Sequence, residues 1–130
     1  MNNCIFCKII GGEIPSYKIY EDEKVFAFLD INPVNPGHTL VVPKEHHETM
    51  TNTPDELLSY MNIKSKELME TIKKATNADY VALSVVGLDV PHFHIHIIPR
   101  YHNDGMEHFW PTKQYKEGKA EEIAEKIKNI

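Results

Sequence analysis

The chain has 130 residues, of which 42% are hydrophobic and 25% charged, a length and balance that suit one domain, residues 1–130, rather than two. A net charge of −5, with the eight histidines counted as neutral, excludes a broad nucleic-acid surface, which needs a basic face to displace counterions. A small phosphate ligand stays compatible with that charge, because a pocket can supply its own donors.

The N-terminus, MNNCIFCKIIGGEIP, has no basic stretch leading into a long apolar run, and apolar runs elsewhere are only a few residues long. Neither a signal peptide nor a membrane span is expected, and the cytosol is the expected compartment. KVFAFLDI (24–31) reads as a strand entering a loop, NPVNPG (32–37) as that loop, and HTLVVP (38–43) as a second strand ended by Pro43. Thr53-Pro54-Asp55-Glu56 is a helix start, with Thr53 as N-cap, Pro54 in the first turn and Glu56 closing a capping box. Leu57, Leu58, Met61, Leu68, Met69 and Ile72 then recur at near-helical spacing to about Ala75. DYVALSVVG (79–87) is a β-branched strand, Gly87 and Pro91 bracket a turn, and HFHIHIIP (92–99) is the next strand. From about Gly118 a short last helix would align Ile123, Ile127 and Ile130. The expected class is α+β: an antiparallel sheet with one long helix packed on it and a short C-terminal helix.

PHFHIHIIPR (91–100) carries the densest chemistry. Side chains alternate along a strand, so His92, His94 and His96 share one face, and Phe93, Ile95 and Ile97 share the other. Alternate residues lie roughly 6.6–7 Å apart, a long row for one compact metal site. A merely polar strand face would be served as well by Ser, Thr, Lys or Glu. Upstream, CIFC is a C-x-x-C pair, read either as a zinc half-site or as a redox pair; the latter belongs after a strand in a βαβ context. A closed Cys2His2 zinc site would take two more ligands from His46 or His47 and one histidine of the row.

His-apolar-His-apolar-His-apolar-apolar, here HFHIHII, resembles the signature of the histidine triad (HIT) superfamily of nucleotide hydrolases and transferases. IFCKIIGGEIPSYKIYEDEKVFAFLDINPVNPGHTLVVPKEH is similar to the N-terminal half of its small phosphoramidase-like members, and FWP (109–111) to a Trp-Pro near their end. The likeness covers roughly residues 4–111. It implies the HIT-like fold and cleavage at the α-phosphate of a purine nucleotide conjugate: a phosphoramidate, a dinucleoside polyphosphate or an adenylylated compound. His94 would be the nucleophile, forming a nucleotidyl-imidazole that water hydrolyses. His96 and His38 would donate to phosphate oxygens or orient His94. The resemblance assigns His92 to a structural zinc with Cys4, Cys7 and His46, and implies that no metal is needed for the chemistry.

It also sets Asp30 against the ribose hydroxyls, where the alternative is an Asx turn before Asn-Pro. Phe6, Phe28 and Ile31 would form the base slot, where the alternative is ordinary core. Relatives are dimers, so a homodimer is expected, with Trp110 reaching the partner's site. His47, His102 and His108 receive no role. The pattern departs just before the triad: ALSVVGLDVPH has Leu88 where relatives carry Gln and Asp89 where they carry Ser or Thr. An ionised Asp89 would repel a phosphate or support a histidine from behind. A nucleotide-binding protein with little turnover is therefore the alternative function.

Overall fold

Apolar residues sit on both faces of the central strands, so each face must be covered by a separate layer. The computed structural model describes residues 3–106 and 111–130, and Trp110 and His108 lie outside the described residues. Among the described residues, β1 (Lys18–Glu21), β2 (Val25–Leu29), β3 (Thr39–Pro43), β4 (Tyr80–Ser84) and β5 (Ile95–Arg100) form one sheet. Its order is β1-β2-β3-β5-β4, with every neighbouring pair antiparallel. The helices are α1 (Ile5–Ile10), α2 (Asp55–Thr76) and α3 (Lys119–Lys128). The α+β class read from the sequence is the one observed.

Val25, Ala27, Val41, Ile95 and Ile97 face α2 and bury its stripe of Met61, Leu68 and Ile72. Phe26, Phe28, Leu40 and Val42 face the other way, onto Phe6 and Ile9 of α1. Leu40 pairs with His96 across β3 and β5, so His96 belongs to the α1 face. The histidine row and the N-terminal cysteines therefore meet on the side of the sheet opposite the long helix.

Two expectations are corrected, and two short elements are new. Helix α2 starts behind Pro54, which caps it without a side-chain bond, rather than at Thr53. Thr53 is buried and its hydroxyl donates backward to the Thr49 carbonyl at 2.7 Å, within the turn before the helix, and no side chain caps α2. β5 begins at Ile95, so His92, at a bend where its N–H donates to the Val90 carbonyl at 2.8 Å, and His94 lie ahead of the strand. This stretch is tied instead through the Phe93 N–H, which donates to the His47 carbonyl at 2.6 Å. Finally, α1 and β1 went unanticipated, being six and four residues long. α3 forms where expected, with Ile123, Ile127 and Ile130 exposed.

Ile97 is fully buried between sheet and α2, whereas Ile63 on the outer side of α2 is 58% exposed. Ile97→Ala is expected to lower the unfolding free energy by about 2–5 kcal/mol in urea titrations. Ile63→Ala should change it by less than about 0.5 kcal/mol.

Candidate active site

Cys4 does two things. Its extended backbone caps α1 while its Sγ accepts from the Cys7 N–H at 3.4 Å, which points both sulfurs to one side of the helix start. Cys4 Sγ lies 3.4 Å from His92 Nδ1, and Cys7 Sγ lies 3.3 Å from His46 Nδ1 and 3.6 Å from His92 Nδ1. The two Nδ1 atoms are 3.1 Å apart. A tetrahedral zinc would set roughly 3.3 Å between two nitrogen ligands and 3.6 Å between nitrogen and sulfur, from its bond lengths. All four donor atoms lie within 4.8 Å of one another, so the donor set fits zinc in both chemistry and spacing. The His92 Nε2–H donates to the Pro43 carbonyl at 2.8 Å, leaving the Nδ1 lone pair for the cluster. Burial, with the neighbouring Cys4 thiol, pushes the Cys7 thiol up, so the pair favours thiols until a cation offsets the charge. The structure brings Cys4, Cys7, His46 and His92 together and leaves His47 out, its imidazole against Glu45 at 2.7 Å.

Next along the chain, buried His94 places its Nδ1 2.7 Å from the His92 carbonyl. Only an N–H can face a carbonyl there, so Nδ1 carries the proton and Nε2 keeps a free lone pair. Two residues on, His96 Nδ1 sits 2.9 Å from His38 Nε2. His38 Nδ1 is occupied as an acceptor of the Val34 N–H at 3.0 Å, so its Nε2 holds the proton and donates to His96. His96 in turn carries its proton on Nε2. Burial, reinforced by the adjacent His94 and His38, pulls the His96 pKa down to about 4, and burial also lowers that of His38. Both rings are neutral at pH 7, with opposite tautomers at His94 and His96. Asp30, His38 and His96 also cluster, but the hydrogen bond between the rings accounts for that closeness.

His94 and His96 line a cleft of about 250 Å³. Phe6 meets the His94 ring edge-on at 5.1 Å and Phe28 at 5.5 Å. Both phenylalanines are buried and also line the cleft, so the core and slot readings hold together for them. Ile31 is 78% exposed and forms part of the rim. Asp30 Oδ1 accepts the Asn32 N–H at 2.9 Å in an Asx turn, and its Oδ2 lies 3.7 Å from His38 Nε2 on the cleft side. Asp89 lines the cleft, and no Lys or Arg stands among its described lining residues. His102 is exposed and away from it, its ring 5.9 Å from that of Tyr80. The sequence reading missed the backbone groups of Val34, Pro43 and His92, which no side-chain motif can signal. It also missed Ile5, Ile9, Ile14 and Leu40 of the cleft wall, which read as plain apolar residues.

A family model described as the HIT domain matches residues 11–103, and the chain belongs to that family. It is 52% identical to a HIT-like protein of Methanocaldococcus jannaschii over 78% of this chain and 82% of that one. Two relatives carry enzymatic names. Adenylylsulfatase HINT3 of Arabidopsis thaliana is 43% identical over 79% of this chain and 55% of its own, and adenosine 5′-monophosphoramidase HNT1 of Candida albicans is 36% identical over 97% and 90%. Among solved structures, a Streptococcus mutans protein superposes with a TM-score of 0.87 at 35% identity, covering 99% of this chain and 85% of that one. A Zn-bound histidine triad family protein of Mycobacterium smegmatis does so with 0.77 at 32% identity, covering 87% and 85%.

Zinc loading should be lost in Cys4→Ser and on chelation, read as metal content, together with a lower Tm in both cases. Low pH is a second lever. His96 stays neutral in the fold down to about 4 but titrates near 6.5 when unfolded, so the unfolded chain binds the extra proton in that window. Stability should therefore fall as pH drops from about 6.5 to about 4, and His96→Gln should flatten that slope in denaturant titrations.

Proposed function

We propose that the protein is a nucleotide hydrolase or nucleotidyl transferase acting at the α-phosphate of a purine nucleotide conjugate, through a nucleotidyl-His94 intermediate. The observation that carries this is the His94 Nδ1–H bond to the His92 carbonyl, which leaves Nε2 as a free nucleophile on the wall of an apolar cleft that also bears a carboxylate. Names of relatives such as adenylylsulfatase and adenosine 5′-monophosphoramidase support the same chemistry.

Phe6, Phe28 and Ile31 would receive the base and Asp30 the ribose hydroxyls. Nε2 of His94 would form a bond to the α-phosphorus as the bond to the leaving group breaks. The His96 Nε2–H, its proton held there by His38, would donate to the phosphate oxygens or to the departing atom. Water would then cleave the P–N bond, returning His94 to its starting tautomer. The His94 Nδ1–H stays on the His92 carbonyl throughout and offsets the positive charge that builds on the ring. When zinc is bound, Cys4, Cys7, His46 and His92 would hold it, and four protein ligands make its contribution structural. A homodimer in the cytosol belongs to this reading through the resemblance to small HIT proteins. The net charge of −5 supports a nucleotide rather than a nucleic-acid partner.

One observation favours a second reading, a nucleotide-binding protein with little turnover. Leu88 is 84% exposed before the triad and supplies no donor where relatives carry Gln. The two readings separate in one experiment: rapid mixing with adenosine 5′-phosphoramidate, a quench at high pH and intact-protein mass spectrometry. An adenylyl adduct is expected in the parent chain and none in His94→Ala, whose turnover should fall by at least about a thousandfold while nucleotide binding persists. Turnover retained in His94→Ala would overturn the enzymatic mechanism. Binding without turnover in the parent would favour the second reading.

A further inference from the structure

Asp104, in the loop after β5, collects hydrogen bonds from four residues although its side chain is only 3% exposed. Arg100 Nε donates to Oδ2 at 2.6 Å and Arg100 Nη2 to Oδ1 at 3.3 Å. The N–H groups of Tyr101 and Met106 each donate at 3.2 Å, and Asn35 Nδ2 donates to Oδ2 at 3.1 Å. The Arg100 side chain is equally buried. Desolvating two charges generally consumes most of what their attraction returns, so a buried pair is better understood by what it holds in place.

What it holds is the turn that carries His38. Asn35 Nδ2 makes a second bond, to the Pro99 carbonyl at 2.9 Å, so this amide ties the turn to both the end of β5 and Asp104. The Asn35 carbonyl accepts the His38 N–H at 3.0 Å, and the N–H of its neighbour Val34 donates to His38 Nδ1 at 3.0 Å. Gly37, at φ +102°, lets the turn lie against the end of α2, where a Cβ would come within 2.7 Å of Thr76 Cγ2. Tyr101 binds that same helix end, its hydroxyl donating to the Thr76 carbonyl at 3.0 Å.

We propose that Asp104 is a positioning residue for the His94 site: acting through Asn35, it holds the 34–38 turn where the Val34 N–H reaches His38 Nδ1, and so decides which nitrogen of His96 presents a proton to the cleft. The inference rests on the reading of His96 as a phosphate donor. With Val34 on His38 Nδ1, the His38 proton must sit on Nε2 and the His96 proton on Nε2. If the turn loosens, His38 can hold its proton on Nδ1 and accept at Nε2, and His96 then donates from Nδ1. The His96 atom that faced the cleft as a donor becomes a bare lone pair, with no change in net charge. A phosphate oxygen would meet repulsion where it had met a hydrogen bond.

The test is long-range nitrogen-15 NMR of the full-length, zinc-loaded, histidine-labelled protein at pH 7, with steady-state kinetics on adenosine 5′-phosphoramidate. The parent chain should show His38 and His96 as Nε2–H tautomers. Asn35→Ala and Asp104→Asn should each move both rings toward the Nδ1–H form and lower kcat by roughly tenfold or more, with a smaller change in KM. Tyr101→Phe removes a bond from the same loop without touching Asn35, and should leave the tautomers as they are. Asn35 is only half-buried, so Asn35→Ala decides the matter if Asp104→Asn fails to fold. A folded Asn35→Ala whose rings both stay Nε2–H would overturn the proposal, whatever happens to its rate. Failure of the nucleotidyl-transfer reading would show separately, as turnover that survives His94→Ala, and leaves the tautomer result standing.

Discussion

A neutral imidazole has one proton and two nitrogens, and in this protein the main chain decides where each proton goes. The Pro43 carbonyl takes the Nε2–H of His92, the His92 carbonyl takes the Nδ1–H of His94, and the Val34 N–H occupies Nδ1 of His38. The Pro43 carbonyl belongs to β3 and the His92 carbonyl lies just ahead of β5, whereas the Val34 N–H sits in the turn that Asn35 ties down. From three such bonds follow a ligand lone pair on His92, a nucleophilic lone pair on His94 and a donor on His96. The rings differ in chemistry because their backbone partners differ.

Residue 92 joins the two halves of the site. Its ring belongs to the thiol cluster, and its carbonyl orients the next histidine of the row. Helix α1 makes a parallel connection: Cys4 caps it, while Phe6, two residues on, lies edge-on to both His92 at 5.9 Å and His94 at 5.1 Å. A six-residue helix has little stability alone. Packing Phe6 and Ile9 against Phe26, Phe28 and Leu40 holds it to the sheet, and a cation among the four ligands would pin its first turn. The metal cluster and the cleft are thus two sides of one short element.

The cleft itself is electrostatically sparing. Asp30 and Asp89 line it, the described lining residues include no Lys or Arg, and burial keeps His96 neutral. A phosphate there would meet hydrogen-bond donors rather than fixed positive charge. Direction then matters more than charge, because a neutral donor helps only when its proton points at the oxygen. This makes the fixed tautomers of His38 and His96, and the turn that enforces them, the sensitive part of the design.

Near-continuous apolar runs in VFAFL and TLVVP and the alternation of HFHIHII made the strands legible in the sequence, and the 61-68-72 stripe did so for the long helix, while burial of both sheet faces emerged only in the fold. The elements it left hidden were too short to show a period, such as β1 and α1. Thr53 misled because the helix begins one residue later, behind Pro54, and the threonine belongs to the preceding turn, where its hydroxyl donates to the Thr49 carbonyl. The cysteine and histidine ligand set could be written down from motif resemblance, since those side chains carry their chemistry in their identity. What only the tertiary structure decided was orientation: which ring nitrogen is bare, and which buried ion pair steadies the turn that sets it. Those outcomes depend on carbonyls and N–H groups that every residue possesses, brought together from positions as far apart as 35 and 104. A sequence records which side chains are present, but backbone geometry decides where their protons sit.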